Sequence, residues 1–222
     1  MPTILITGAG RGLGLELARQ YAADGWRVIG TVRRDSPGLE AIGARSLTAD
    51  VADVSQVKAL SQKLQAEPID VLFCNAGIIG KRGMALGSFD YAEWEQVLRV
   101  NLLGAAAVIE ALVDRVAASE RKTVAVMSSR LGSIEESSGM TLPYSTSKAA
   151  LNLLAKGLAE TLRPRGIIVV ALSPGWVKTD MGGQGASLTP ETSVRGLRKV
   201  LDGLQREDSG KFFSHDGSQI RW

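Results

Sequence analysis

The stretch that decides the fold is Thr3-Ile4-Leu5-Ile6-Thr7-Gly8-Ala9-Gly10-Arg11-Gly12-Leu13-Gly14, in which a short apolar run passes directly into a glycine-rich turn. The apolar run predicts a buried strand over Thr3–Thr7, and a helix opens at Gly12. The apolar residues that face inward on this helix are Leu13, Leu17, Ala18 and Tyr21. A strand, a tight turn and a helix in immediate succession predict the start of a β-α-β unit.

The glycines of this turn have physical roles that point to a ligand. They permit a sharp turn, allow the helix to pack closely on the strand, and let backbone N–H groups approach a pyrophosphate. The N-terminus of the following helix then faces that anion with unpaired donors and a favourable dipole. The turn therefore predicts dinucleotide binding; the alternative is an ordinary glycine-rich turn, because a lone motif of this kind is weak.

Apolar, β-branched runs alternate with segments of helical period along the rest of the chain, and several runs are apolar on both faces, as in a helix-covered parallel sheet. The further predicted strands are Arg27–Val32, Ser46–Thr48, Val71–Cys74, Thr123–Ser128, Ile167–Leu172 and Lys211–Phe213. The further predicted helices begin at a Ser55 N-cap, run from about Tyr91 to Ala117 and from about Tyr144 to Leu162, and begin at Thr189-Pro190. This order predicts an α/β fold with a doubly wound, mainly parallel, seven-stranded sheet, helices on both faces, and a single domain over residues 1–222.

Composition narrows the possible chemistry. The 222 residues include 26 basic and 23 acidic side chains, a net charge of +3, without a basic stripe, so nucleic-acid binding is not expected. Cys74 and His215 are the only cysteine and histidine, which excludes an intrachain disulfide and a zinc site built from Cys and His. No other metal site is indicated. A chain without disulfides is expected in a reducing cytoplasm.

Membrane insertion is not expected either. The N-terminal residues show no charged leader and no long apolar stretch before the glycines, so no signal peptide is predicted. No window reaches about 18 uninterrupted apolar residues, roughly the length that a transmembrane helix needs. The chain is therefore expected to be soluble and to have no membrane partner.

The second predicted strand ends in two arginines, which bears on the kind of dinucleotide. A site specific for NAD places an acidic residue here to bind the 2′-hydroxyl of the adenosine ribose. In this chain Arg33 and Arg34 precede the first acid, Asp35. Arg33, joined by Arg11 of the glycine turn, could pair with a 2′-phosphate through charge-assisted hydrogen bonds. The charge favours NADP(H), with NAD(H) still possible; the alternative is that these arginines are solvated surface residues.

Tyr144 and Lys148 lie four residues apart at the start of a predicted helix, so they share one helix face. A free tyrosine has a pKa of about 10 and is a poor acid–base catalyst at neutral pH. A nearby ammonium group stabilises the phenolate and lowers that pKa, and a cationic nicotinamide would add to the effect. The pair therefore indicates a tyrosine that transfers a proton, although such a pair taken alone is common on helix surfaces.

Six motifs follow one another along the chain. They are Thr7–Gly14, Asn75-Ala76-Gly77, Asn101, Ser128–Gly132, the pair Tyr144 and Lys148, and Pro174–Thr179. In this order they resemble the short-chain dehydrogenase/reductase family over nearly the whole chain. The Pro174–Gly183 stretch and the final residues Asp216–Trp222 are most similar to sniffer-type carbonyl reductases and C-factor-like members. The resemblance implies a Rossmann-type fold and an NAD(P)-dependent oxidoreductase that interconverts a carbonyl compound and an alcohol.

The resemblance also implies catalytic roles. Tyr144 would donate a proton to the carbonyl oxygen while the nicotinamide delivers hydride to carbon. Ser129, rather than Ser128, would hydrogen-bond the same oxygen. Lys148 would hold the nicotinamide ribose and tune the pKa of Tyr144. Asn101 would bend its helix and hold a water that links Lys148 to solvent; the alternative is a polar residue satisfied inside a helix.

Further matched residues are implied to hold the cofactor. Asp50 and Val51 would contact adenine, the backbone of residues 75–77 would pass along the adenosine ribose, and Val177 would meet the nicotinamide carboxamide. The full implied set is Gly8, Arg11, Gly12, Leu13, Gly14, Arg33, Asp50, Val51, Asn75, Ala76, Gly77, Tyr144, Lys148, Pro174, Gly175, Val177 and Thr179. Cys74 replaces the family's usual asparagine and is interpreted as a small buried core residue.

The surroundings of the expected site bear on substrate and partners. Trp176, Met181 and Leu131 indicate an apolar carbonyl substrate; the alternative is that they pack the core. The C-factor-like resemblance allows a regulatory protein that binds NAD(P) with little turnover, whereas the complete set of serine, tyrosine and lysine favours an enzyme. Relatives commonly form dimers or tetramers through two long helices, so a homo-oligomer is expected.

Overall fold

Seven strands form one sheet in the computed structural model, which describes residues 1–64, 66–83 and 86–222. The strands are β1 (Thr3–Ile6), β2 (Arg27–Val32), β3 (Arg45–Thr48), β4 (Val71–Cys74), β5 (Thr123–Met127), β6 (Ile168–Ser173) and β7 (Phe212–Ser214). Their order is β3-β2-β1-β4-β5-β6-β7, and every neighbouring pair is parallel. The doubly wound sheet is confirmed, and its strand order reverses between β1 and β4.

Helices connect successive strands. They are α1 (Gly12–Ala23), α2 (Pro37–Glu40), α3 (Val54–Lys63), α4 (Tyr91–Leu98), α5 (Gly104–Ala117), α6 (Leu142–Leu162) and α7 (Pro190–Gly203). The long helix predicted over residues 91–117 is in fact α4 and α5 joined by a π-helical segment, Arg99–Leu103. The short helix α2 was not predicted, because four residues that begin with a proline are too few to show a helical periodicity.

Two helix starts show how side chains set the boundaries. Thr189 caps α7 as predicted, and its Oγ1 accepts the N–H of Thr192 at 3.3 Å. The predicted cap of α3, Ser55, is wrong. Asp53 is the cap, because its carboxylate accepts the N–H groups of Ser55 at 2.9 Å and Gln56 at 3.3 Å. One aspartate therefore satisfies two backbone donors that the helix leaves unpaired.

Both faces of the sheet carry a core. In β1, Ile4 and Ile6 pack with residues of α1 and α7, whereas Leu5 faces the opposite side with residues of α3, α5 and α6. This alternation follows from the two-residue period of a strand. Because helices cover both faces, the central strands β1, β4 and β5 are buried at every residue.

One helical run, Tyr91–Ala117, is long and apolar enough to cross a membrane, judged by length and composition alone. Its most apolar 18-residue window has a mean hydropathy of 1.6, and 44% of that window is buried. The expectation that no segment would qualify, which rested on uninterrupted apolar runs, is corrected to this extent. In the fold, Val108, Ile109, Leu112 and Val116 of this run belong to the core, and a helix packed on a sheet has the same composition.

Candidate active site

The residues expected to form a site lie at the carboxyl ends of the strands. The glycine turn follows β1, Arg33 follows β2, Asp50 and Val51 follow β3, and Asn75 follows β4. The segments after β5 and β6 contribute Ser129 and the stretch 174–179. Parallel strands present these ends at one sheet edge, and a ligand crevice forms where the strand order reverses. The fold thus brings the separate motifs to one place.

The glycine turn is shaped so that side chains are excluded from it. Gly8 and Gly12 have φ angles of +66° and +54°, in the left-handed region that glycine tolerates best. A Cβ on Gly14 would lie 2.3 Å from the carbonyl oxygen of Gly8, so only glycine lets α1 approach the end of β1 this closely. The result is a backbone cradle at the N-terminus of α1, which fits the diphosphate of a dinucleotide.

Asn75 and Thr7 join the ends of β1 and β4. The Asn75 Nδ2 donates to the carbonyl oxygens of Thr7 at 2.9 Å and Gly8 at 3.2 Å. In return the Thr7 hydroxyl accepts the backbone N–H of Asn75 at 3.0 Å and of Ala76 at 3.1 Å. The two side chains hold the cradle against the neighbouring strand, and sequence reasoning had assigned no such role to Thr7.

The basic residues expected near the adenosine ribose are arranged differently from the expectation. Arg33 and Arg34 are exposed directly after β2. Arg11, expected to assist Arg33, instead forms an ion pair with Asp180, with 2.5 Å between Nη1 and Oδ2. This exposed pair connects the glycine turn with the segment after β6. Of the two arginines, Arg33 is therefore the better candidate to bind a phosphate on the adenosine ribose.

Tyr144 and Lys148 lie on one face of α6 and are both buried, with exposed fractions of 8% and 3%. The Lys148 Nζ donates to the carbonyl oxygen of Met127 at 2.7 Å and lies 5.5 Å from the centroid of the Tyr144 ring. The bond to Met127, the last residue of β5, fixes the ammonium group beneath the phenol. Helix and strand therefore position the pair jointly.

Burial dominates the ionisation of this pair. Burial raises the pKa of Tyr144 to about 12, against a smaller lowering by the hydrogen bond with Ser129. Burial also lowers the pKa of Lys148 to about 8, because desolvation disfavours its charged form. The protein's own groups therefore raise the pKa of Tyr144, in contrast to the lowering by Lys148 that was predicted. The phenol holds its proton strongly at neutral pH.

Ser129 lies in a tight 3-10 turn, Arg130–Gly132, that follows β5. Its hydroxyl shares a hydrogen bond with Tyr144 and also accepts the N–H of Leu131 at 3.2 Å. Ser128 points elsewhere, and its hydroxyl donates to Oδ1 of Asn152 at 2.5 Å. The structure brings Ser129, and not Ser128, to the phenol.

Asn101 lies in the π-helical segment between α4 and α5, so the helix does change geometry there. Its side chain is fully engaged: Oδ1 accepts the N–H of Ile78 at 2.8 Å, and Nδ2 donates to the Ile78 carbonyl and to the Ser147 hydroxyl. These bonds tie the segment after β4 to α6. Asn101 makes no direct hydrogen bond to Lys148, and the proposed water relay stays a prediction.

The segment after β6 closes the other side of the crevice. Gly175 has a φ of +76° and packs against Leu188 and His215, and Val177 is buried. Thr179 reaches the glycine turn, since a Cβ on Gly12 would lie 3.8 Å from its Cγ2. The exposed indole of Trp176 donates its Nε1–H to the Gly182 carbonyl at 2.8 Å. This loop therefore borders the cradle directly.

Two supporting residues were missed because single side chains outside a motif carry no sequence signal of their own. Ser193 of α7 donates its hydroxyl to the Pro174 carbonyl at 2.7 Å and so anchors the turn after β6. Asn152 of α6 is buried and contacts both ends of the Ser129 turn. Only the helix period, which places Asn152 on the face of Tyr144 and Lys148, could have drawn attention to it.

Cys74 is a buried core residue, as interpreted, and burial raises its pKa to about 12.

Comparisons with known proteins agree with this fold. The family model for short chain dehydrogenases matches residues 2–187. The C-signal of Myxococcus xanthus is 40% identical over 167 residues, which are 75% of this chain and 100% of that protein. The carbonyl reductase Sniffer of D. melanogaster has a TM-score of 0.92 at 31% identity, with 100% of both chains covered. A short-chain dehydrogenase/reductase from Burkholderia multivorans with bound NADP has a TM-score of 0.90 at 32% identity, over 100% of this chain and 99% of that one. The chain therefore belongs to the short-chain dehydrogenase/reductase family of NAD(P)-dependent oxidoreductases, which act on CH–OH groups and carbonyls.

Proposed function

We propose that this protein interconverts an apolar aldehyde or ketone and its alcohol, with NADP(H) as the hydride carrier and Tyr144 as the proton donor. The observation that carries the proposal is the hydrogen bond between the half-buried Ser129 and the buried Tyr144, with the Lys148 Nζ 5.5 Å from the centre of the phenol ring. A purely structural tyrosine has no need of both partners at a sheet edge beside a glycine cradle. This arrangement suits transfer of one proton to an oxygen placed between the two hydroxyl groups.

Each residue of this set has one task. Tyr144 holds a proton at neutral pH and delivers it to the carbonyl oxygen. Ser129 donates a hydrogen bond to the same oxygen as negative charge develops on it, an effect worth several kcal/mol at such sites. Lys148, together with the cationic nicotinamide when it is bound, would stabilise the phenolate left behind, because its Nζ lies 5.5 Å from the centre of the ring. The dinucleotide, when bound, supplies or accepts the hydride. The cradle of Gly8, Gly12 and Gly14 would hold its diphosphate.

The test is a titration of the purified protein with NADPH and with NADH, followed by nicotinamide fluorescence, and then addition of a panel of apolar aldehydes and ketones. We expect tight NADPH binding and its oxidation by at least one member of the panel. Binding of neither nucleotide would overturn the proposal. Carbonyl turnover would leave only the physiological substrate to be identified.

Replacing Arg33 with aspartate is expected to shift the preference from NADPH toward NADH. Charge-assisted hydrogen bonds of this kind contribute about 1.5–3 kcal/mol, so the ratio of the two dissociation constants should change by about 10- to 100-fold. Fluorescence titration with each nucleotide measures the ratio. Arg163→Asp, the same charge change on an exposed arginine after α6, is the control. An unchanged ratio in Arg33→Asp would show that another residue reads the ribose.

The two directions of the reaction should depend on pH in opposite ways. Reduction uses the Tyr144 phenol and oxidation uses the phenolate, and burial raises the pKa of this group to about 12. A raised pKa keeps the phenol present at neutral pH and makes the phenolate scarce. We therefore expect kcat/KM for alcohol oxidation to rise from pH ~7 to ~10 while that for reduction does not rise. A level oxidation profile over this range would contradict the assignment of Tyr144.

A second function is favoured by one observation, the 40% identity to a protein named C-signal. The alternative is a regulatory protein that binds NAD(P) and turns over little substrate. The same panel separates the two proposals, since tight NADPH binding without oxidation by any carbonyl compound supports the regulatory one.

Self-association and location complete the proposal. We propose a homo-oligomer formed through the long helices, because Leu103 beside α5 and Leu153 on α6 are 58% and 73% exposed. Light scattering of the purified protein tests this, and a monomer at all concentrations would reject it.

The single buried Cys74 favours a reducing cytoplasm, and nucleic-acid and membrane partners are not proposed.

A further inference from the structure

Asn152 is a polar residue in the interior that the reaction described above does not use. It lies on α6 four residues after Lys148 and eight after Tyr144, on the same face of the helix. The residue is buried, with an exposed fraction of 3%. A buried amide is retained only where its donors and acceptor find partners, since an unpaired polar group in the interior is destabilising.

The partners of Asn152 are the two ends of the Ser129 turn. Its Oδ1 accepts the hydroxyl of Ser128 at 2.5 Å, immediately before Ser129. Its Nδ2 donates to the carbonyl of Gly132 at 3.1 Å, at the end of the turn. One amide group therefore brackets the segment that carries Ser129, using its acceptor at one end and its donor at the other.

Other contacts also hold the turn: Gly132 packs closely on α6, where an added Cβ would lie 2.8 Å from the backbone carbonyl carbon of Lys148. The N–H of Gly132 donates to the carbonyl of Ser129 at 2.8 Å within the turn, and the N–H of Arg130 donates to the Ser173 hydroxyl of β6 at 3.1 Å. Among the described residues, the hydrogen bonds from the turn to α6 are those of Asn152 and the one between Ser129 and Tyr144. Asn152 thus supplies the side-chain hydrogen bonds that join α6 to both ends of the turn.

We infer that Asn152 is a positioning residue that holds the Ser129 hydroxyl in register with the Tyr144 hydroxyl. The inference rests on the proposed function, in which both hydroxyls address one carbonyl oxygen. Because an amide combines an acceptor and a donor on one rigid group, it fixes the two ends of the turn at once. A leucine of similar shape fills the space but leaves the Ser128 hydroxyl and the Gly132 carbonyl without these partners.

The test is a double-mutant cycle of Asn152→Leu and Ser129→Ala, assayed with NADPH and phenanthrenequinone, an apolar dicarbonyl probe. Removing a donor such as Ser129 lowers kcat by about 10²- to 10³-fold in comparable sites. We expect Asn152→Leu alone to lower kcat by about 10- to 100-fold and to leave the NADPH dissociation constant within about twofold. In the Ser129→Ala background its further effect should be below about twofold, because two residues that act through one interaction are not additive.

Two controls separate positioning from folding. Leu151→Ala removes a buried core side chain from the adjacent position of α6, and the resulting cavity lowers stability. It should lower the melting temperature and leave kcat within about twofold of the wild type. Ser128→Ala removes one of the two bonds to Asn152 and should lower kcat less than Asn152→Leu does.

Two results would overturn the inference. One is an equal fall in kcat from Asn152→Leu in the wild-type and Ser129→Ala backgrounds, which would indicate a general structural role. The other is a crystal structure of Asn152→Leu in which the hydrogen bond between Ser129 and Tyr144 is intact. The crystal structure does not depend on turnover. It therefore tests the inference even if the wild-type protein reduces no carbonyl compound and the proposed function is wrong.

Discussion

Replacing Tyr144 with phenylalanine is expected to lower kcat for carbonyl reduction by about 10²- to 10⁴-fold, the usual contribution of a positioned acid–base group. The substitution removes only the hydroxyl, and the ring still fills the same buried site on α6. Lys148 keeps its bond to the Met127 carbonyl, and Ser129 keeps its bond from the Leu131 N–H. The NADPH dissociation constant should therefore stay within about twofold of the wild type, which separates loss of chemistry from loss of binding.

The chain offers a matched control for this experiment. Tyr91 is 74% exposed at the start of α4, and Tyr91→Phe removes the same hydroxyl from the surface. It should leave both kcat and nucleotide affinity unchanged. Near-wild-type turnover in Tyr144→Phe would reject Tyr144 as the proton donor, and a large loss of NADPH affinity would show that the hydroxyl serves binding. Steady-state kinetics with fluorescence titration measures both quantities.

Replacing Gly14 with alanine is expected to abolish tight nucleotide binding. The added Cβ would lie 2.3 Å from the Gly8 carbonyl oxygen and 2.6 Å from Nδ2 of Asn75, so the cradle and its link to β4 must both move. Overpacking of this kind costs about 1–3 kcal/mol of stability. Displacing even one backbone donor from a phosphate forfeits about 1.5–3 kcal/mol, so NADPH binding should weaken by at least about 10-fold.

Gly157→Ala is the matched control for Gly14→Ala. Gly157 lies inside α6, and a Cβ there would meet no atom within 4 Å. The same chemical change should stabilise the protein by about 0.5–1 kcal/mol through the helix propensity of alanine and leave nucleotide affinity unchanged. If Gly14→Ala bound NADPH as tightly as the wild type, the close approach of α1 to β1 would not matter for the cofactor. Thermal unfolding and nucleotide titration of the two variants decide this.

The fold was predictable to the extent that its signals are local. The run Thr3–Gly14 contains strand, turn and helix start in immediate succession, and the remaining strands stand out as apolar runs between helical segments. Prediction failed where a boundary depends on a specific bond. Asp53, not Ser55, caps α3 because its carboxylate reaches two N–H groups at once. The π-helical segment at Asn101 coincides with partners, Ile78 and Ser147, that lie on other parts of the chain.

In the site, too, local features were predictable and contacts between distant residues were not. Tyr144, Lys148 and the glycine turn could be proposed from residue type and spacing, because four residues make one helical turn and glycines mark a tight loop. Spacing could not show that Arg11 forms an ion pair with Asp180, because these residues are far apart along the chain and come into contact only at the sheet edge. Nor could it show that Asn152 brackets the Ser129 turn.

The sequence by itself determined the alternation of strands and helices, the glycine turn, and the residue types available for proton transfer. These follow from short-range periodicity and from the conformational range of glycine, which act within a few residues. Only the tertiary structure decided which side chains meet and how they ionise. The pKa of Tyr144 rises to about 12 because burial outweighs the hydrogen bond with Ser129, and burial is a property of the whole packed fold. Distant residues come into contact, and side chains are removed from solvent, only when the chain has folded.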